Sequence, residues 1–141
     1  MFVMIVGCGR VGSAVARRML SEGHEVSVLD EDPEAIAHLE KGSDVSWEEQ
    51  GGSFTVGTAL EIDALIEAGI DRADAFVAST DGDNTNLVIA QIAQKRFRVE
   101  NVVVRVLDPA RAAWYEQQGL RTVCPTKIAI AELEQAVLEA A

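Results

Sequence analysis

A glycine-rich hexapeptide near the start of the chain constrains the fold more than any other feature. Residues 7–12 read Gly-Cys-Gly-Arg-Val-Gly, the pattern G-x-G-x-x-G, and they follow the apolar run Val3–Val6. An amphipathic segment over Arg10–Ser21 comes next, and Asp30 closes the apolar run Glu25–Leu29. A strand, a glycine turn, a helix, a second strand and a terminal acid, in this order and spacing, are typical of a βαβ unit that binds an adenine nucleotide.

Each position of this unit has a physical reason. Gly7 permits a tight turn, Gly9 lets the backbone approach a pyrophosphate, and Gly12 allows the helix to pack closely against the sheet. The N–H groups at the helix start would face the phosphates. Asp30 would accept hydrogen bonds from ribose hydroxyls and repel a 2′-phosphate, which disfavours NADP. Two alternatives stay open. The glycines could form a turn in a scaffold that binds no ligand, and Asp30 could serve only as a helix cap.

Short apolar runs alternate with segments of helical spacing along the rest of the chain. The predicted strands are Val3–Val6, Glu25–Leu29, Phe54–Val56, Ala75–Ala78, Val102–Val106 and Arg121–Cys124. The predicted helices are Arg10–Ser21, Pro33–Lys41, Leu60–Ala68, Asn84–Arg96, Ala110–Gln118 and Thr126–Glu139, with a loop over Gly42–Ser53. Strands that alternate with helices predict a parallel sheet covered on both faces. We therefore expect an α/β Rossmann fold, a doubly wound six-stranded sheet in the order 3-2-1-4-5-6, as a single domain over residues 1–141.

The composition limits the possible partners. A formal net charge of −11 argues against nucleic acid and against anionic membrane surfaces, since both attract clustered lysine and arginine. No stretch approaches the ~20 apolar residues of a membrane span, so direct membrane insertion is not expected. The two cysteines, Cys8 and Cys124, lack metal-ligand spacing. They predict a reducing, cytosolic setting without a metal site.

Three further segments make the chain resemble one family. Gly57-Thr58-Ala59 follows the third predicted strand, and Ser79-Thr80-Asp81-Gly82-Asp83-Asn84-Thr85-Asn86-Leu87 follows the fourth. Val104-Arg105-Val106 lies on the fifth, ahead of Asp108-Pro109. Together with the glycine loop, this order resembles the nucleotide-binding N-lobe of RCK domains (regulators of conductance of potassium) in Trk- and Ktr-type uptake proteins. The resemblance covers essentially the whole chain.

The resemblance implies a role for each matching residue. Phosphates would be held by the glycine loop and Arg105, the ribose by Asp30, and the adenine beside Thr58 and Ala59. The residues expected to bind the nucleotide are Gly7, Cys8, Gly9, Arg10, Val11, Gly12, Asp30, Glu31, Gly57, Thr58, Ala59, Ser79, Thr80, Asp81 and Arg105. Arg10 could reach the terminal phosphate of ATP or ADP, or could simply be a solvated arginine. Thr126 stands where related ATP-binding members carry an acid that helps hold a divalent cation, so no metal is expected.

The function implied is regulation rather than catalysis. The chain would be a cytoplasmic subunit, peripheral to the membrane, that gates an integral-membrane potassium channel or transporter when it binds ATP, ADP, AMP, NAD or NADH. A homodimer, able to assemble into a larger ring, is expected. The second, smaller lobe that family members usually carry is expected to be absent. The alternatives are an NAD(H)-binding redox sensor and the cofactor half of an NAD-dependent oxidoreductase. The oxidoreductase is disfavoured because the sequence has no Tyr-x-x-x-Lys pair and its one tyrosine, Tyr115, lies far from the loop.

Overall fold

Parallel strands form one six-stranded sheet in the computed structural model, which describes residues 1–140. The strands are β1 (Phe2–Val6), β2 (Glu25–Asp30), β3 (Ser53–Val56), β4 (Ala75–Ala78), β5 (Asn101–Arg105) and β6 (Arg121–Val123). Their order across the sheet is β3-β2-β1-β4-β5-β6, and all neighbours run parallel. The predicted fold and strand order are confirmed, and the strand ends differ from the prediction by at most one residue.

Helices connect the strands on both faces of the sheet. They are α1 (Arg10–Ser21), α2 (Ile36–Leu39), α3 (Ile62–Glu67), α4 (Asp83–Gln91), α5 (Pro109–Gln117) and α6 (Pro125–Glu139). Both α5 and α6 begin with a proline, whose missing N–H costs nothing in a first turn. The carboxylate of Asp108 caps α5 by accepting a hydrogen bond from the backbone N–H of Ala110 at 2.9 Å.

The helix predicted over Pro33–Lys41 is wrong in length and type. Pro33–Ala35 forms one 3₁₀ turn, and the α-helix that follows ends at Leu39. The turn is capped by Asp32, whose carboxylate accepts a hydrogen bond from the N–H of Glu34 at 2.9 Å. The cap from Asp32 and the proline that follows it together determine where this segment begins.

Two other predicted helices also end differently. The helix predicted over Leu60–Ala68 shortens to Ile62–Glu67. The helix predicted over Asn84–Arg96 begins at Asp83, and its last turn, Ile92–Arg96, widens into a π-helix. In that turn the N–H of Phe97 donates to the carbonyl of Ile92 five residues earlier, at 3.3 Å. Such a change of helical period leaves the spacing of apolar residues almost unaltered, so the sequence pattern does not reveal it.

Alternate residues of the central strand supply two separate core layers. Val3 and Ile5 of β1 pack with α1 and α2, whereas Met4 and Val6 pack with α3, α4 and α5. This follows from the two-residue period of a strand. Burial on both faces explains why the strands are almost continuously aliphatic.

The loop predicted over Gly42–Ser53 contains a core residue. Trp47 is completely buried, and its indole N–H donates to the carbonyl of Ser53 at 3.0 Å. Its backbone N–H donates to the carboxylate of Glu40 at 2.7 Å. Gly52 lies against the indole so closely that any β-carbon there would clash with it. The loop is therefore fastened to the sheet ahead of β3.

Candidate nucleotide-binding site

The three glycines of the loop have different surroundings. Gly7 has a φ of +99°, and a β-carbon there would lie 2.5 Å from the carbonyl oxygen of Ser79. A β-carbon on Gly12 would clash with the carbonyl oxygen of Gly7. Gly9 is exposed, and nothing lies within 4 Å of the position its β-carbon would take. Gly7 and Gly12 are thus required by the protein's own packing, whereas Gly9 leaves open space in front of the backbone.

Asp30 ties the glycine loop to the end of β2. One carboxylate oxygen accepts a hydrogen bond from the N–H of Cys8 at 2.7 Å, and the other accepts from the N–H of Asp32 at 2.8 Å. A carboxylate can accept about four hydrogen bonds, so capacity remains for ribose hydroxyls. Asp30 therefore has a structural role in the loop in addition to the predicted ligand role.

A cavity of about 500 Å³ opens above the carboxyl ends of β1, β2 and β4. This is the switch point at which the strand order reverses, where open α/β sheets bind their ligands. Its volume is within the usual range of small-molecule sites. Most of the predicted residues line it: Gly7, Cys8, Gly9, Asp30, Glu31, Gly57, Thr58, Ala59, Ser79, Thr80 and Asp81.

The structure does not place four predicted residues on the cavity wall. Arg10 and Val11 are exposed in the first turn of α1, and Gly12 is buried beneath the loop. The guanidinium of Arg105 lies behind Thr80, to whose carbonyl it donates a hydrogen bond at 2.6 Å. The same nitrogen is 3.4 Å from the carboxylate of Asp81, while the buried Nε has no partner within residues 1–140.

Other residues line the cavity that the sequence reasoning missed. They are Val6, Leu29, Asp32, Ala35, His38, Leu60, Gly82 and Thr85. His38 is the notable case, because its spacing marks it only as an exposed helix residue. The cavity reaches His38 because only residues 31–35, with the 3₁₀ turn Pro33–Ala35, separate α2 from the end of β2. Leu60, about half exposed, comes from the loop after β3.

The cavity wall is acidic. Asp30, Glu31 and Asp32 lie at the end of β2, and Asp81 lies after β4. No lysine or arginine is among the lining residues within the described chain, 1–140. Phosphates bound here would depend on backbone N–H groups and on the dipole of α1. The one cationic residue within the glycine loop is Arg10, which is exposed.

A buried asparagine connects the loop after β4, on the wall of the cleft, to the end of the neighbouring strand β5. Asn86 is completely buried and accepts hydrogen bonds from the N–H and the hydroxyl of Thr80 at 2.9 and 2.6 Å. Its amide donates to the carbonyls of Thr80 and Arg105, both at 3.0 Å. Every polar atom of the side chain is therefore satisfied, so Asn86 fixes the loop after β4 against the end of β5.

Neighbouring contacts extend this connection to α6. The carboxylate of Asp83 accepts hydrogen bonds from the N–H groups of Leu107 at 2.8 Å and Asp108 at 3.1 Å. The carbonyl of Leu107 accepts a hydrogen bond from the hydroxyl of Thr126 at 2.6 Å. Hydrogen bonds, together with the backbone from Arg105 to Leu107, thus connect the wall of the cleft to the first turn of α6.

The thiol in the glycine loop is poorly suited to redox chemistry. Cys8 is buried, and its Sγ lies 3.3 Å from the carbonyl of Ala35. Burial, with a smaller contribution from the charge of Asp30, raises the pKa of Cys8 to about 12. Since the thiolate is the reactive form, Cys8 is a space-filling residue at neutral pH.

Comparison with known proteins decides the family. The model of the TrkA-N domain matches residues 3–126. The chain belongs to the TrkA-N domain family. The resemblance to the nucleotide-binding lobe of RCK domains, which the motifs indicated, is confirmed.

Relatives of this TrkA-N domain include potassium uptake proteins. The Trk system potassium uptake protein TrkA of Streptomyces coelicolor is 42% identical over 127 residues, which cover 90% of this chain and 54% of that protein. The chain spans about half the length of the curated relatives it matches.

Solved structures share the architecture. The AMP-bound Kef CTD of Shewanella denitrificans has a TM-score of 0.79 and 26% identity, covering 100% of this chain and 83% of that one. GsuK bound to ADP has a TM-score of 0.80 at 20% identity, covering 99% of this chain and 34% of that one, and it supports the fold alone.

The last helix of this TrkA-N domain has no buried residue. Large apolar side chains along α6 are exposed, among them Leu133 at 67% and Val137 at 71%.

Within residues 1–140, no helix combines the length and the apolar character that crossing a bilayer requires. Over the same residues, no group of three or more histidine, cysteine, aspartate or glutamate side chains is arranged to hold a metal ion.

Proposed function

We propose that this TrkA-N domain binds an adenine nucleotide and regulates potassium uptake through it, without catalysing a reaction. The domain acts at the cytoplasmic face of the membrane on an integral-membrane potassium channel or transporter subunit. The family membership and the Trk system relatives support this assignment. The AMP-bound Kef domain, similar along the whole chain, supports an adenine nucleotide as the ligand.

The observation that carries the proposal is the composition of one cavity. Its wall contains Gly9 and Asp30 from the first βαβ unit and Thr80 from the loop after β4. A ligand in this cavity therefore contacts both halves of the sheet at once. A ligand can shift a conformational equilibrium only if it binds the two states with different affinity, and a site shared between two halves meets that requirement when the halves change their relative position.

The path from Thr80 through Asn86 to Thr126 gives the ligand a route to α6. Its links are hydrogen bonds of 2.6–3.1 Å and the covalent backbone between Arg105 and Leu107. A change in the position of the Thr80 loop is therefore passed to Arg105 and Leu107, and from Leu107 to the start of α6. Coupling between two sites through such contiguous contacts is typically 1–3 kcal/mol.

The exposed apolar stripe of α6 supports assembly into a homodimer. Ile130, Leu133 and Val137 recur at helical spacing, and all are about half exposed or more. Contiguous apolar surface of this kind marks protein contacts.

Replacing Leu133 and Val137 with glutamate is expected to lower the apparent mass in analytical ultracentrifugation from dimer to monomer. Gln135→Glu, which adds charge elsewhere on α6, is the matched control and should remain dimeric. A dimer that survives both replacements would place the contact on another surface.

An enzymatic role is the competing function. His38 is the one histidine on the cavity wall within residues 1–140, and Tyr115 lies outside the cavity in α5. An oxidoreductase needs an acid or base beside the reacting carbon, and the wall offers carboxylates and one histidine. Incubating the chain with NADH and common electron acceptors separates the possibilities. Binding without turnover supports the regulatory function, and sustained turnover would support an oxidoreductase.

The first test of the proposal is nucleotide binding itself. Calorimetric titration with AMP, ADP, ATP, NAD and NADH should detect at least one ligand with micromolar or tighter affinity. Gly9→Ala is a better site variant than Asp30→Ala, because Asp30 also holds the N–H groups of Cys8 and Asp32. Loss of binding in Gly9→Ala with an unchanged unfolding temperature assigns the ligand to this cleft. Full affinity in that variant would place the ligand elsewhere.

A further inference from the structure

The charges in the cleft are distributed unevenly. Asp30, Glu31 and Asp32 are grouped at the adenosine side, at the end of β2, and Asp81 is the one charged residue on the wall beyond β4 within residues 1–140. Its side chain is fully exposed, at 109% of the reference value. Its one charged contact among the described residues is Arg105, whose nearest nitrogen is 3.4 Å away and also donates to Thr80. Asp81 therefore faces the cleft with most of its hydration intact.

The topology decides which part of a ligand meets Asp81. In a doubly wound sheet, a ligand that spans the switch point places its adenosine at the end of β2 and its pyrophosphate at the glycine loop. Whatever follows the pyrophosphate then lies against the loop after β4. In this chain that loop is Thr80, Asp81 and Gly82, which all line the cavity. A nicotinamide ring or the terminal phosphates of ATP would occupy this half.

We propose that Asp81 makes this half of the cleft selective for a cationic group, so that the site prefers oxidised nicotinamide dinucleotide to its reduced form and to ATP. The two forms of the dinucleotide share every group except the ring, and the oxidised ring carries one additional positive charge. ATP places negative phosphates beside the carboxylate, and no lysine or arginine lines the described wall to compensate. The inference rests on the proposed function, and it makes the nucleotide site a sensor of redox state.

The two nearest arginines do not reverse this selectivity. Arg105 is held behind the wall by Thr80, and its side chain is only 15% exposed. Arg10 lies in the first turn of α1, outside the cavity lining. Two unit charges about 7 Å apart at a solvent-facing site, with an effective dielectric constant of about 40–80, change a binding constant by about three- to eightfold. The preference for the oxidised form should have this size and should shrink as salt is added.

The test compares three ligands on three proteins by titration calorimetry at low ionic strength. The ligands are oxidised dinucleotide, reduced dinucleotide and AMP, and the proteins are the wild type, Asp81→Asn and Glu31→Gln. Glu31→Gln is the matched control, because it removes the same charge from the adenosine half. The wild type should bind the oxidised form about three- to eightfold more tightly than the reduced form. Asp81→Asn should bring this ratio close to one, while Glu31→Gln should leave it unchanged and alter the affinity for all three ligands in the same direction.

The outcomes separate this inference from the function on which it rests. Equal affinity of the wild type for the two dinucleotide forms, or an unchanged ratio in Asp81→Asn, would overturn the role of Asp81 while AMP still binds. No binding of AMP, ADP, ATP or either dinucleotide would instead refute the proposed function. Removing Asp81 also frees Arg105, which would act in the same direction. If the ratio returns to the wild-type value in the double variant Asp81→Asn, Arg105→Gln, the loss seen in Asp81→Asn came from the freed Arg105, and Asp81 is not the source of the selectivity.

Discussion

The glycines of the loop are expected to serve two different purposes. Gly7 and Gly12 should be needed for the stability of the domain, whereas Gly9 should be needed for nucleotide binding. Gly9 has φ −83° and ψ −158°, which other residues adopt, and no atom lies within 4 Å of its absent β-carbon. Gly9→Ala should therefore change the free energy of unfolding by less than about 1 kcal/mol, because restriction of the unfolded chain by alanine and the loss of a glycine N-cap of α1 act in opposite directions. The added methyl group lies where the backbone would meet a pyrophosphate, so nucleotide affinity should fall at least about tenfold, or ~1.4 kcal/mol.

Substitutions at the other two loop glycines should act in the opposite way. Gly12→Ala drives a methyl group into the carbonyl oxygen of Gly7, which cannot move without distorting the loop. Gly7→Ala adds a contact of 2.5 Å with the carbonyl of Ser79 to the strain of a φ of +99°. Overpacking costs about 1–3 kcal/mol, and the left-handed conformation costs a further ~1–2 kcal/mol for alanine. Gly7→Ala should therefore be the most destabilising of the series.

Gly23→Ala is the control for backbone strain, because Gly23 has a similar φ of +91° and no atom within 4 Å of its β-carbon position. Urea unfolding followed by circular dichroism measures the stability of all four variants, and calorimetry measures nucleotide affinity. Gly23→Ala should lose only the strain energy, so its difference from Gly7→Ala isolates the contact with Ser79. A Gly9→Ala variant that is as unstable as Gly12→Ala, or that binds nucleotide at full affinity, would refute the division of roles.

Other predictions concern the groups around the cleft. Asn86→Ala should destabilise the domain by about 2–4 kcal/mol in urea unfolding, because it leaves buried backbone groups of Thr80 and Arg105 without partners; a loss below 1 kcal/mol would contradict the network. Tyr115→Phe removes one hydrogen bond to a backbone carbonyl, and it should cost about 1 kcal/mol. Cys8 has its pKa raised from 9.0 to about 12, so its contribution to stability is complete below pH 9 and is lost as pH rises towards 12. Between pH 8 and pH 10 the wild type should lose about 1.4 kcal/mol more stability than Cys8→Ala, and equal losses would contradict the raised pKa.

The features that could be predicted from the sequence are those with local causes. The glycine loop and Asp30 follow each other within one βαβ unit, and the aliphatic strands alternate with helices. The fold and the strand order could therefore be predicted from the sequence. The main wall of the cavity followed as well, because parallel strands bring their carboxyl ends to one edge.

The features that could not be predicted depend on contacts between distant segments. Trp47 lies in a polar, glycine-rich stretch, and its burial requires the edge of β3 and the acid of Glu40. His38 borders the cavity because the short 3₁₀ turn Pro33–Ala35 places α2 close to the end of β2. Arg105 was expected beside the phosphates, yet the carbonyl of Thr80 holds its guanidinium behind the wall. None of these partners is adjacent in sequence, so residue spacing carries no signal of them.

One measurement tests the central claim most directly: thermal unfolding of the wild type and of Gly9→Ala with increasing AMP, ADP, ATP and both forms of the nicotinamide dinucleotide. Binding at one hundred times the dissociation constant adds about 2.7 kcal/mol of stability, which is a rise of roughly 8 °C for a domain of this size. The account predicts this rise for the wild type with at least one ligand, and at most about half of it for Gly9→Ala at the same concentration, since a tenfold weaker ligand adds about 1.4 kcal/mol. An unfolding temperature of the wild type that no nucleotide changes would mean that the cleft is only a scaffold, and would contradict the claim.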